Sequence, residues 1–251
     1  MPQARALAWT RLGACLARRE LRTRTGLLML ATLVASGMLV GQAEGELARM
    51  ASGQTELARE AASYLTNTSA GLLVVLSLLA ASRVHQDRAS KWLLPLLTVH
   101  RYSAGGYVTA AFIVAAAFGL LSCLVWLTTY AAAFATTAHA LPPGFARIAI
   151  GICTASVCWT VFGTAVGTWT RSAAGWMLST LLLVVMPIGA AAWYAIKFDV
   201  LLQGMAKRAL FIFIPALSLH STSGTLVHHL LYTLAALAVA HRVAVKTLGR
   251  A

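Results

Sequence analysis

Residues 106–131 read GYVTAAFIVAAAFGLLSCLVWLTTYA, a run without a single Asp, Glu, Lys or Arg. About 20 mainly apolar residues cross the hydrocarbon of a bilayer as a helix, because lipid offers backbone polar groups no partner outside the helix itself. This stretch is therefore predicted to span a membrane. Five others resemble it, at 26–41, 70–84, 147–170, 174–196 and 226–246. The first two are short as apolar runs and are expected to continue as helix into their flanks. The fold class that follows is all-α: a polytopic membrane protein with six transmembrane helices in one domain over residues 1–251.

Composition agrees. Of 251 residues, 59% are apolar and only 11% are charged, with a mean hydropathy of +0.75. A soluble domain carries about 25% charge, so the chain is neither disordered nor an ordinary soluble enzyme. Yet 20 Lys and Arg stand against 7 Asp and Glu, a net charge of +13. Such an excess is either a nucleic-acid footprint or an orientation signal, and its distribution decides. With the N-terminus inside, the outer segments hold only Arg49, Arg59, Arg147, Lys197, Lys207 and Arg208; every other Lys and Arg falls inside. Glu20 and Asp87 are the inner acids, and the remaining five lie outside. Six spans with both termini cytoplasmic satisfy the positive-inside rule, and nucleic acid is not an expected partner.

The segments between spans have characters of their own. Residues 1–25 are expected to lie in the inner interface. As a helix over 4–24 they put Trp9, Leu12 and Leu16 on one face and Arg11, Arg18 and Arg22 on another, which suits lipid tails and phosphates respectively. No small-residue cleavage site follows the first apolar run, so Gly26–Gly41 reads as a retained span. Residues 42–69, with Glu44, Glu46, Glu56, Arg59 and Glu60, are expected outside as a short helical hairpin. Residues 197–225 carry an apolar run, Leu210–Leu219, that is too short to span and holds Pro215, the pattern of re-entrant outer helices.

Several chemistries are missing. No Lys follows a Gly, so there is no phosphate-binding GK[ST] loop, and no HExxH, GxSxG or SxxK occurs. The chain is not expected to be an enzyme or to hold a cofactor. No carboxylate falls deep in a predicted span, which argues against ion-coupled carriers. Of the four cysteines, Cys123, Cys153 and Cys158 sit in apolar runs; Cys153 and Cys158, five apart, face different sides of a helix. His85 and His100 lie outside the bilayer and do not form a haem pair. His220, His228 and His229, with Met205, have soft-metal chemistry, but their place at a helix end favours interfacial histidines. Gly37-x-x-x-Gly41 and Gly163-x-x-x-Gly167 allow close helix approach, within the chain or at a dimer face.

The cytoplasmic segment 85–105 is the distinctive one. It sets His85, Asp87, Arg88 and Lys91 before Trp92-Leu93-Leu94, breaks at Pro95, and ends on His100, Arg101 and Gly105-Gly106. The stretch from Arg83 through Tyr102, taken with the order of parts around it, resembles the membrane subunit of type-2 ATP-binding-cassette transporters. In that family an acid and basic residues precede a threonine/leucine run, then an arginine, an aromatic and a glycine entering span three. Asp87 matches the family's acid, usually Glu, and Arg101 its arginine; Ser90, Val99 and Tyr107 depart from the usual Gly, Pro and Lys. The resemblance covers the whole chain and rests more on architecture than on motif. It implies that 85–105 is a coupling helix that docks on a cytoplasmic ATP-binding-cassette ATPase chain. Asp87, Arg88, Lys91 and Arg101 are then polar contacts and Trp92, Leu93 and Leu94 apolar anchors. It further implies a second permease subunit, an exporter, and a bacterial cytoplasmic membrane. The alternatives are an integral assembly or scaffold protein, or a membrane-embedded enzyme.

Overall fold

The computed structural model describes residues 13–14, 24–50, 71–85, 103–141, 145–169, 176–177, 179–181 and 223–248. Of these, 97% are helical and none is in a strand, so the all-α class holds. Five helices carry the fold: α1 (Arg24–Met50), α2 (Gly71–His85), α3 (Ala104–Ala138), α4 (Phe145–Trp169) and α5 (Ser223–Leu248). Among the described residues three helices are long and apolar enough to cross a membrane, within α1, α3 and α4. The sequence predicts six; α2 is a shorter apolar helix, and α5 covers the sixth predicted span. Nearly all of the interfacial helix and of span 174–196, the outer hairpin beyond residue 50 and segment 197–222 lie outside the described residues.

Boundaries follow local chemistry. Ser103 caps α3, its Oγ accepting from Gly106 N at 3.0 Å, so the helix starts at Ala104 rather than at the glycine pair. α3 stops where His139 takes the left-handed conformation at φ 56°, just before Pro142 and Pro143. Its 35 residues rise about 50 Å, more than the ~30 Å of bilayer hydrocarbon, so the helix tilts or projects. Hydroxyls inside the helices bond their own backbone: Thr109, Thr128, Thr160 and Thr164 each donate to the carbonyl four residues back. That satisfies a polar atom where lipid cannot. Leu28, Leu39, Ile113, Leu121 and Leu234 point outward, an apolar exterior suited to hydrocarbon.

Glycines set the packing. Gly37, Gly41 and Gly45 of α1 meet Trp126–Thr129, Tyr130–Ala133 and Phe134–Thr137 of α3 in turn. A Cβ on Gly41 would lie 2.5 Å from the Tyr130 carbonyl oxygen and 2.9 Å from Ala133 Cβ. Gly119 of α3 faces Ser156 and Thr160 of α4, and Gly163 and Gly167 face Ser77 and Ala81 of α2. Both predicted GxxxG pairs are therefore spent within the chain rather than at a dimer face.

These registers also give direction. α1 and α3 run parallel, as do α2 and α4. α3 opposes α4, with Gly119 at Thr160 but Tyr130 at Phe145, and opposes α5, with Thr109 at His241 and Gly105 at Val245. One end of the bundle thus gathers the finish of α2, α4 and α5 and the start of α3, with Arg83, Arg242 and Lys246; the other holds Glu44, Glu46 and Arg49. α4 finishes at the basic end, while α5 starts at the opposite one.

Gly41→Ala is expected to lower stability by about 1–3 kcal/mol, since backbone blocks the added methyl. Gly71→Ala, where a Cβ meets nothing within 4 Å, should leave it unchanged. Reversible unfolding in detergent measures both.

Candidate functional site

The first predicted span ends at Gly41, ahead of the polar run Gln42-Ala43-Glu44, and so leaves Glu44 outside. The structure differs: α1 continues to Met50 and Glu44 is only 5% exposed. It sits between Gly41 and Gly45, where α3 comes closest, and Tyr130 donates its hydroxyl to Glu44 Oε2 at 2.6 Å. The other carboxylate oxygen, Oε1, is buried with no hydrogen-bond partner among the described residues. A carboxyl so placed is costly unless a donor or counter-charge meets it, and such residues inside spans are functional candidates by default. α1 thus runs past the predicted end of the first span at Gly41, and Glu44, expected in the outer segment, lies in its contact with α3. The missed signal was the glycine period itself: 37, 41 and 45 continue the α3-facing stripe past the end of the continuous apolar run.

Aromatic rings surround the pair. Tyr130 stacks with Trp126 at 5.7 Å, Phe134 at 5.9 Å and Phe145 at 6.2 Å between centroids. On the far side of Phe145 an apolar cavity of about 680 Å³ opens between α3, α4 and α5, with Leu124, Ile150, Cys153 and Leu237 in its wall. Its lining offers apolar ligands contact and almost no polar recognition. Cys153 also touches Cys123 across α3 and α4, with Sγ atoms 3.5 Å apart. The sequence paired Cys153 with Cys158 for comparison; the contact partner lies on the other helix, 30 residues away.

The basic end has polar contacts too. Thr109 Oγ1 lies 2.8 Å from His241 Nε2, and Phe112 meets that ring edge-on. Arg83 sits 4.6 Å over the Phe118 ring, and His85 stacks on Trp176 at 4.7 Å. These tie the ends of α2 and α5 to their neighbours.

The predicted coupling residues Asp87, Arg88, Lys91, Trp92, Leu93, Leu94 and Arg101 lie outside the described residues, as do Met205 and His220. His228 and His229 fall in the first half of α5. Among the described residues no group of three or more His, Cys, Asp or Glu forms a metal site. Comparison with known proteins finds no matching family model and no matching curated protein.

Tyr130→Phe removes the carboxylate's one donor among the described residues and is expected to cost about 1–3 kcal/mol of stability. Glu44→Gln keeps an acceptor for the phenol and should cost less. The double variant should fall well short of the sum, because the two groups act as one unit. Additive losses in a double-mutant cycle would show that the contact contributes nothing.

Proposed function

We propose that the chain is a membrane permease subunit of an ATP-driven transporter of the type-2 ATP-binding-cassette kind. It works as an exporter in a bacterial cytoplasmic membrane, beside a second permease subunit. The observation that carries this reading is where α2 ends and α3 begins. α2 ends and α3 begins at the basic end of the bundle, so the connection between them belongs to that side. The positive-inside rule makes that side cytoplasmic, where an ATPase would meet it.

Topology supports the same reading. α4 finishes at the basic end and α5 starts at the opposite one, which supports the predicted crossing by span 174–196. On this reading the chain has six spans with both termini cytoplasmic. The absence of a phosphate-binding loop from the sequence puts ATP hydrolysis in a separate chain. ATP-driven closure of two ATPases would then act through 86–101 as a lever, rocking the permease halves about their interface. Glu44 does not turn the reading toward an ion-coupled carrier. Such carriers group ionisable side chains along a path, whereas Glu44 pairs with one phenol.

A complex purified through this chain is expected to contain an ATP-binding-cassette ATPase. Trp92→Ala should weaken that association by at least about tenfold, the scale of losing one buried aromatic anchor. Asp87→Ala should lower the ATPase rate of the complex. A complex with no nucleotide-binding subunit would overturn the reading, and a bound ATPase indifferent to both changes would favour a scaffold.

A further inference from the structure

Cys123 lies near the middle of α3 and is fully buried; Cys153, on α4, is partly exposed and forms part of the wall of the apolar cavity. Their sulfurs stand 3.5 Å apart. A disulfide needs about 2.05 Å between sulfurs, so closure takes about 1.5 Å, within reach of side-chain rotation. The two thiols also differ in the way a dithiol redox pair requires: one can be approached and the other waits behind it. What approaches is set by the cavity. Its lining, including Leu120, Leu124, Ile150 and Leu237, is almost entirely apolar, so charged oxidants such as glutathione disulfide are disfavoured there and a lipid-soluble ring compound is not.

We propose that Cys123 and Cys153 are a redox-active dithiol that a lipid-soluble quinone oxidises to a disulfide joining α3 to α4. Both S–H bonds break and one S–S bond forms. Two electrons and two protons pass to the quinone, which leaves as hydroquinone. Cys153 meets the quinone at the cavity wall, and Cys123 completes the bond from behind. This site is independent of the ATPase-coupled reading above and stands or falls separately from it.

The test uses the reduced full-length protein in lipid nanodiscs, treated with a short-tailed ubiquinone, with glutathione disulfide, or with diamide. Thiols are then alkylated after denaturation. The quinone arm should lose two alkylation sites, give a peptide linking Cys123 to Cys153, and yield one hydroquinone per chain. Cys158→Ser should behave like the parent, while Cys123→Ser and Cys153→Ser should form no such link at unchanged helical content. Glutathione disulfide should act at least about tenfold more slowly than the quinone. Full alkylation of all four cysteines after quinone treatment overturns the proposal, whatever diamide does. So does a link that omits Cys123, or glutathione disulfide reacting as fast as the quinone. The wild-type peptide map alone decides the first two outcomes, so a poorly folded serine variant does not remove the test.

Discussion

Backbone-to-backbone contact between helices is what this architecture rests on. Lipid tails are as apolar as leucine, so helices in a bilayer gain little from hiding apolar side chains and must gain from close packing. Here that packing is made where side chains are missing. α3 is the hub: it receives the glycine stripe of α1 on one face, offers Gly119 to α4 on another, and meets α5 near its start. α2 is held in turn through Gly163 and Gly167 of α4. The hydroxyls of Ser77, Thr160 and Thr168 lie along the same helices and bond their own backbone, whereas Ser156 Oγ is buried without a partner among the described residues.

The same closeness accounts for Glu44. A carboxyl on an isolated apolar helix would turn toward water, but between Gly41 and Gly45 it lies against α3, within reach of the phenol at the centre of the aromatic column. The glycine stripe thereby does two things at once. It sets the separation of α1 and α3, and it fixes a polar atom with unused hydrogen-bonding capacity inside their interface. Whatever shifts α1 against α3 must first break or remake the Tyr130 contact, which gives that shift a polar component as well as a steric one.

How far the sequence revealed this depended on the kind of signal. Residues 106–131 could be read outright, since a charge-free run of that length has one stable form in lipid. The charge difference between the two ends of the bundle was equally legible, and Arg83, Arg242 and Lys246 share an end as expected. Helix ends were less so. The polar run after Gly41 looked like a loop because the partner that makes it tolerable, Tyr130, lies 86 residues on. The Cys123–Cys153 contact was illegible for the same reason, being fixed by the register of two antiparallel helices and by nothing local. Asp87, Arg88, Lys91, Trp92, Leu93, Leu94 and Arg101 were legible only through a family resemblance, and they lie outside the described residues.

The Glu44–Tyr130 contact carries a consequence for biogenesis. Its halves are 86 residues apart in the chain, and ribosomes add roughly 5–20 residues per second. For several seconds, then, α1 exists with its carboxyl made and its phenol not yet synthesised. Entering lipid in that state carries the penalty of an unpaired polar group in hydrocarbon. Of the five helices α1 is thus produced first, but it is not settled until α3 has been made. Its lower-cost course is to wait at the water interface or within the insertion machinery until α3 arrives, so that α1 and α3 enter as a pair.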